Sequence, residues 1–195
     1  MKNVLTLTII GLLTVLSSTA QNCTFDDLQY ESMYSDYTNS GGSDDKDGCS
    51  FSSAMTNDNI GNKAIPFNVK DINGNHYTLE ELKGQIVVIN FWFIDCNPCT
   101  SEIPELNQMV EHFKNDDIVF LGMALDSEER LKTFLKTTPF DYNIIPKCKD
   151  IVTAYGIKTS PGHVVIDKNS QIVYSSEGLT PETVKNLQAA IEAQL

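Results

Sequence analysis

The residues of this chain best placed to do chemistry together are two cysteines separated by two residues, Cys96 and Cys99. Cysteines at this spacing can form a disulfide and reopen it by thiol–disulfide exchange, in which a thiolate attacks a sulfur of another disulfide. We expect Cys96 to attack first and Cys99 to resolve the mixed disulfide on it, because their nearness makes the second step intramolecular. This chemistry requires no cofactor beyond the Cys96–Cys99 disulfide itself.

The two cysteines lie where a strand is predicted to pass into a helix. The run from Ile86 to Ile94 is apolar, β-branched and too short for a buried helix, so it predicts a core strand. Beyond Cys99, apolar residues recur at steps of three and four, as on one helix face: Ile103, Leu106, Val110 and Phe113. Cys96 is therefore expected near the free N–H groups and positive dipole end of that helix, which stabilise a thiolate.

A Cys-x-x-Cys pair can also be half of a zinc site. Zinc would need two more ligands at motif-like spacing, but the histidines His76, His112 and His163 are scattered and there is no second cysteine pair. The aspartates between positions 44 and 47 lack the spacing of a calcium loop. The sequence therefore favours redox chemistry and predicts no metal site.

The residues around the cysteines carry a family resemblance. Asn90-Phe91-Trp92 ahead of the Cys-x-Pro-Cys segment, with Ser101-Glu102-Ile103-Pro104 after it, resembles the TlpA/ResA type of extracytoplasmic thioredoxin-like protein. The resemblance covers about residues 61 to 195. It implies a thiol–disulfide oxidoreductase with a thioredoxin-like α/β fold, in which helices flank a central mixed β-sheet and a β-hairpin extends the N-terminal side.

The resemblance also implies roles for individual residues. Glu102 is expected to handle protons, a task that thioredoxins assign to a buried Asp where this chain has Asn90. Ser160-Pro161 matches the turn whose proline is cis and packs beside the cysteines in thioredoxin-like proteins, exposing backbone groups that can pair with a substrate strand. The predicted substrate-binding residues are Trp92, Asp95, Asn97, Pro98, Ser160 and Pro161.

Asp95 departs from the resembling family, which usually carries Trp before the first cysteine. A carboxylate next to Cys96 disfavours the thiolate by about 1 kcal/mol at 4 Å in water, and by more near a protein surface. This opposes the helix N-terminus, which contributes about 0.3–1 kcal/mol in favour of the thiolate. A less stable thiolate suits a reductant. In the alternative interpretation, Asp95 turns outward into water and is screened.

Elsewhere the chain alternates strand and helix patterns. An N-terminal hairpin is predicted over residues 65–78, further strands over 118–125 and 143–145, and an antiparallel hairpin around the turn at 167–170. Helices are predicted from Ser127, Asp150 and Pro181, the last with Val184, Leu187, Ile191 and Leu195 facing inward. Strands that alternate with helices indicate an α/β layered domain with a mostly parallel sheet.

Composition separates the chain into three parts. Residues 1–20 contain one charge, Lys2, then an apolar stretch and small residues, which predicts a cleaved signal peptide, with a retained anchor as the alternative. Residues 21–60 are polar, acidic and Gly/Ser-rich, and we expect a flexible segment that is dispensable for activity. Residues 61–195 form the predicted thioredoxin-like domain. A formal charge of −12 argues against nucleic acid as a partner.

The remaining cysteines, Cys23, Cys49 and Cys148, are odd in number. Cys23 with Cys49 would close the N-terminal segment on itself, whereas Cys49 with Cys148 would tie that segment to the domain. The sequence does not choose between these pairings, and at least one thiol is left over.

We therefore predict an exported enzyme of the bacterial periplasm or cell envelope that reduces protein disulfides, with a membrane partner as electron donor. The resemblance suggests cytochrome c maturation or general periplasmic disulfide reduction. A peroxiredoxin-like peroxidase is one alternative, but it would want Thr and Pro where the chain has Trp92 and Val88. The others are a metal- or copper-binding thioredoxin-like module using a histidine such as His163, and a non-catalytic binding domain with a structural disulfide.

Overall fold

The structure is a computed structural model that describes residues 60–195. The predicted signal peptide, the acidic segment up to residue 59, and with them Cys23 and Cys49, lie outside the described residues. In the part that is described, no helix is both long enough and apolar enough to cross a membrane.

Residues 60–195 form seven strands and four helices, which alternate along much of the chain as the sequence patterns predict. In chain order they are β1 (Asn68–Lys70), β2 (His76–Thr78), β3 (Ile86–Trp92), α1 (Asn97–His112), β4 (Ile118–Ala124), α2 (Glu128–Phe134), β5 (Asn143–Ile145), α3 (Lys149–Ala154), β6 (Gly162–Ile166), β7 (Ile172–Glu177) and α4 (Thr183–Glu192).

The central sheet has five strands in the order β5-β4-β3-β6-β7. β3 pairs in parallel with β4 on one side and antiparallel with β6 on the other, so the sheet is mixed. β1 and β2 form a separate antiparallel hairpin on the N-terminal side. The predicted architecture, a mixed sheet flanked by helices with an N-terminal hairpin, is confirmed, but the sheet is not mostly parallel, because two of its four strand pairings are antiparallel.

β3 is the middle strand, and all seven of its residues are buried. Its side chains alternate between two cores, with Ile89 facing the one that contains Ile151 of α3 and Val88 facing the one that contains residues of α1 and α4. A strand covered on both faces has no position for a polar repeat, which is why its sequence is an apolar run interrupted only by Asn90. Both cysteines belong to the second core, at the end of this strand.

The helix that follows β3 begins as predicted and runs through Pro104 to His112. Pro98 lies in its first turn, where the missing N–H of a proline costs no helical hydrogen bond. One prediction at the C-terminus is wrong: Leu195 does not face inward but is 58% exposed. α4 ends at Glu192. Leu195 lies three residues beyond that end, so the helical spacing that buries Leu187 and Ile191 does not extend to it.

Candidate active site

Cys96 and Cys99 are joined by a disulfide with their Cα atoms 5.3 Å apart. Cys96 is the N-cap of α1, and its Sγ accepts a hydrogen bond from the backbone N–H of Cys99 at 3.3 Å. This confirms the predicted position of Cys96 at the positive end of the helix. Cys96 retains 6% exposure and Cys99 only 1%, so Cys96 is the more accessible of the two.

The Ser160–Pro161 peptide bond is cis, as the resemblance implies. Pro161 directly precedes β6, and Gly162 pairs with Phe91 near the end of β3, so the turn lies at the same end of the sheet as the cysteines. Hydrogen bonds fix the turn from β7: the Glu177 carboxylate accepts from the backbone N–H of Thr159 at 2.6 Å, and Gly178 N–H donates to the Pro161 carbonyl at 2.7 Å.

Glu102 is buried, with 2% of its surface accessible. Its Oε1 accepts from Asn90 Nδ2 at 3.1 Å, and its Oε2 lies 3.2 Å from His163 Nε2. Glu102 and Cys99 are three residues apart on α1, so they share a helix face. The structure therefore places Glu102 on the same helix face as Cys99, the predicted resolving cysteine, and beside His163, which the sequence analysis named only as a scattered histidine and a possible copper ligand.

Asp95 faces outward, and a cation pairs with it. Its side chain is 74% exposed, and its Oδ2 lies 3.1 Å from Arg130 Nη2. Arg130 also contacts the buried carboxylate of Asp126, which in turn accepts from Ile94 N–H at 2.8 Å. The hydrogen bond to Asp95 and the nearby negative charge of Asp126 raise the pKa of the Arg130 guanidinium above its usual range. The outward orientation agrees with the alternative interpretation, and the sequence missed Arg130.

The Asp95–Arg130 ion pair changes how nearby charge is expected to affect the reactivity of the Cys96 thiol. Arg130→Gln leaves Asp95 and Asp126 without their cation, so alkylation of Cys96 in the reduced protein should require higher pH. Asp95→Asn leaves the cation uncompensated and should shift the curve to lower pH. Both side chains are largely exposed, so we expect rate changes of only about two- to fivefold near neutral pH, decreasing with added salt.

Lys132→Gln is the matched control, because Lys132 forms an exposed ion pair with Glu128 on the same helix. The measurement is the rate of Cys96 alkylation against pH at low and high ionic strength, and the Asp95→Asn, Arg130→Gln double variant should return close to the wild-type curve. Arg130→Gln and Asp95→Asn curves that move in the same direction would contradict the electrostatic explanation.

The other predicted substrate-binding residues lie at different depths. Asn97 and Pro98 are exposed directly after Cys96, and Ser160 is half-buried. Trp92 is only 1% exposed and packs against Phe134 and Phe140 with ring centroids 5.8 and 5.4 Å away. Its burial places it beneath the cysteine loop rather than on the surface that a substrate can touch.

No group of three His, Cys, Asp or Glu side chains within residues 60–195 is arranged to hold a metal ion. Cys148 is buried at the N-cap of α3. The possible Cys49–Cys148 disulfide involves Cys49, which lies outside the described residues.

A disulfide that caps the helix after the central strand, with a cis-proline opening the neighbouring strand, defines a thioredoxin-like thiol–disulfide oxidoreductase. The model of the AhpC/TSA family matches residues 60–175. The chain belongs to this family and, within it, to the TlpA/ResA type of thiol–disulfide oxidoreductases.

Relatives and solved structures support this assignment. The thiol-disulfide oxidoreductase ResA of Bacillus thuringiensis subsp. konkukian is 31% identical over 123 residues, which cover 61% of this chain and 70% of that protein. ResA of Halalkalibacterium halodurans is 27% identical over 137 residues, or 69% of this chain and 78% of that one. The thioredoxin domain of a thiol-disulfide oxidoreductase from Bacteroides vulgatus superposes with a TM-score of 0.59 at 26% identity, covering 69% of this chain and 96% of the other.

Proposed function

We propose that this oxidoreductase is exported and reduces disulfides in other proteins, with Cys96 as nucleophile and Cys99 as resolving cysteine. The observation that carries the proposal is the asymmetry of the pair: Cys96 caps α1 and retains 6% exposure, whereas Cys99 is 1% exposed and lies on the helix face it shares with Glu102. The names of the ResA relatives support thiol–disulfide exchange as the reaction.

The reaction has two exchange steps. The Cys96 thiolate attacks a substrate disulfide, forms a mixed disulfide and releases one substrate thiolate. Cys99 gives its thiol proton to Glu102 and attacks Cys96 Sγ, which closes the Cys96–Cys99 disulfide and releases the second substrate thiolate. Two electrons pass from the cysteine pair to the substrate, whose thiolates take up the two protons. A membrane electron donor restores the dithiol.

The substrate lies across the surface beside Cys96. Asn97 and Pro98 offer exposed contacts there, and the backbone groups of Ser160, just before Pro161, can pair with an extended substrate segment. Residues 1–20 direct the protein to the periplasm or cell envelope, where cytochrome c maturation or general disulfide reduction would supply substrates.

The redox equilibrium of the pair tests the reducing direction. The helix N-terminus stabilises the Cys96 thiolate only modestly, and Asp95 is already paired with Arg130, so no strong field favours the reduced form. We expect a reduction potential nearer to that of thioredoxin, about −270 mV, than to that of the oxidant DsbA, about −120 mV. Mass spectrometry after equilibration in defined thiol–disulfide buffers and alkylation measures the potential. A value near that of DsbA would instead identify an oxidant.

A further inference from the structure

Three polar side chains from different elements meet in the core behind the cysteines. Asn90 on β3, Glu102 on α1 and His163 on β6 are 1%, 2% and 0% exposed. Asn90 and His163 are direct partners in the antiparallel pairing of β3 with β6, so the register of the sheet holds the amide beside the ring. Ionisable groups at such depth require hydrogen-bond partners, which makes the direction of each hydrogen bond informative.

The donors and acceptors of this cluster determine where its protons lie. Asn90 Nδ2 is 3.1 Å from Glu102 Oε1 and 3.4 Å from His163 Nδ1, and its two hydrogens can serve one acceptor each. With the Asn90 amide in this orientation, His163 Nδ1 is an acceptor, and a neutral ring then carries its proton on Nε2. Nε2–H then donates to Glu102 Oε2, 3.2 Å away. If the ring also carried a proton on Nδ1, that N–H would point at the hydrogens of the Asn90 amide. Two donors would then face each other, which disfavours a proton on Nδ1.

We propose that His163 is a positioning residue of the exchange reaction, resting on the proposed function above. Asn90 holds His163 as the neutral Nε2–H tautomer, and His163 in turn holds the Glu102 carboxylate as the acceptor of the Cys99 proton. When Cys99 attacks, its S–H bond breaks and the proton passes to Glu102 rather than to His163. The thiolate electron pair forms the bond to Cys96 Sγ, and the bond from Cys96 to the substrate sulfur breaks.

Few other groups near this cluster can titrate. α1 contributes Cys99 and the exposed Glu105, and Tyr142 lies before β5, where burial and the Glu102 charge raise the pKa of its hydroxyl above the usual range. β7 presents Ser176 opposite His163, and α4 presents Val184 and Leu187, none of which titrates. Within residues 60–195 no Lys or Arg pairs with Glu102, whose side-chain partners are Asn90 and His163.

Two substitutions separate positioning from packing. His163→Leu removes the donor to Glu102, whereas His163→Gln can replace it with an amide N–H. The measurement is the decay of the mixed disulfide on Cys96 in a single turnover, followed by acid quench and mass spectrometry between pH 5 and 9. We expect His163→Leu to slow this decay about 10- to 100-fold and to change its pH profile, as loss of one hydrogen bond to a charged group predicts. His163→Gln should recover most of the rate.

His76→Leu is the matched control, because His76 is an exposed histidine on another strand. Equal slowing of mixed-disulfide formation and decay in His163→Leu would overturn the proposal, as would a wild-type pH profile. The wild-type protein gives an independent test: two-bond ¹H–¹⁵N correlations should show the neutral Nε2–H tautomer of His163, and the Nδ1–H tautomer would overturn the inference. If the wild-type protein exchanges disulfides but these tests contradict the proposal, the role of His163 is refuted and the proposed function stands. If the wild-type protein does not exchange disulfides, the proposed function itself is refuted.

Discussion

Replacing Cys99 with Ser should stop the reaction after its first step and leave the substrate attached to Cys96. The serine hydroxyl cannot attack the mixed disulfide, so this species accumulates and is visible by mass spectrometry under non-reducing conditions. Cys96→Ser should reduce turnover of a model disulfide protein to the uncatalysed background, because Cys99 is 1% exposed and has no access to an external disulfide.

Cys148→Ser is the matched control, since it also removes one buried cysteine from the described domain, but at the N-cap of α3. It should leave both exchange steps intact. The role assignment would be reversed if Cys99 reacted faster than Cys96 with an alkylating reagent in the folded, reduced protein. Trapping on the Cys99→Ser variant in cells would also identify the physiological substrates.

Glu102→Gln is expected to slow the resolving step by about 100-fold or more, because a positioned general base typically contributes 10²–10⁴. Gln has nearly the shape of Glu but cannot take up the Cys99 proton. The first step, attack by Cys96, should change much less. Single-turnover measurements of mixed-disulfide formation and decay separate the two rates.

The control for this prediction is Glu105→Gln. Glu105 lies one helical turn further along α1 and lines the same surface cleft as Glu102, but its side chain is exposed. Glu105→Gln should leave the rate of the resolving step within about twofold of the wild-type rate, as expected for a solvated surface charge. A Glu102→Gln protein that resolves at the wild-type rate would mean that Cys99 loses its proton by another route.

The sequence was sufficient for those features that depend on local pattern. The apolar run of β3, the helical period after Cys99 and the strand-to-helix position of Cys96 are carried by neighbouring residues, and the structure contains each of them. The cis bond before Pro161 needed the family resemblance, because a proline at the start of a strand is compatible with either isomer.

The sequence could not supply partners that only the fold brings together. His163 is 61 residues from Glu102, and Arg130 is 35 residues from Asp95. Their meeting depends on the register of β3 with β6 and on the placement of α2 against the cysteine loop, neither of which leaves a local pattern. Trp92 shows the same limit, because its motif position marks the site but not the depth at which the ring packs.

The packing of Trp92 gives the protein an internal optical reporter. It is the single tryptophan of the 195-residue chain, and it belongs to the same buried cluster as Cys96 and Cys99. A nearby disulfide quenches indole fluorescence, whereas a dithiol does so far less, and a fully enclosed indole is insulated from changes in the surrounding solvent. We therefore expect the emission of the unlabelled protein to rise when the disulfide opens and to fall when it closes.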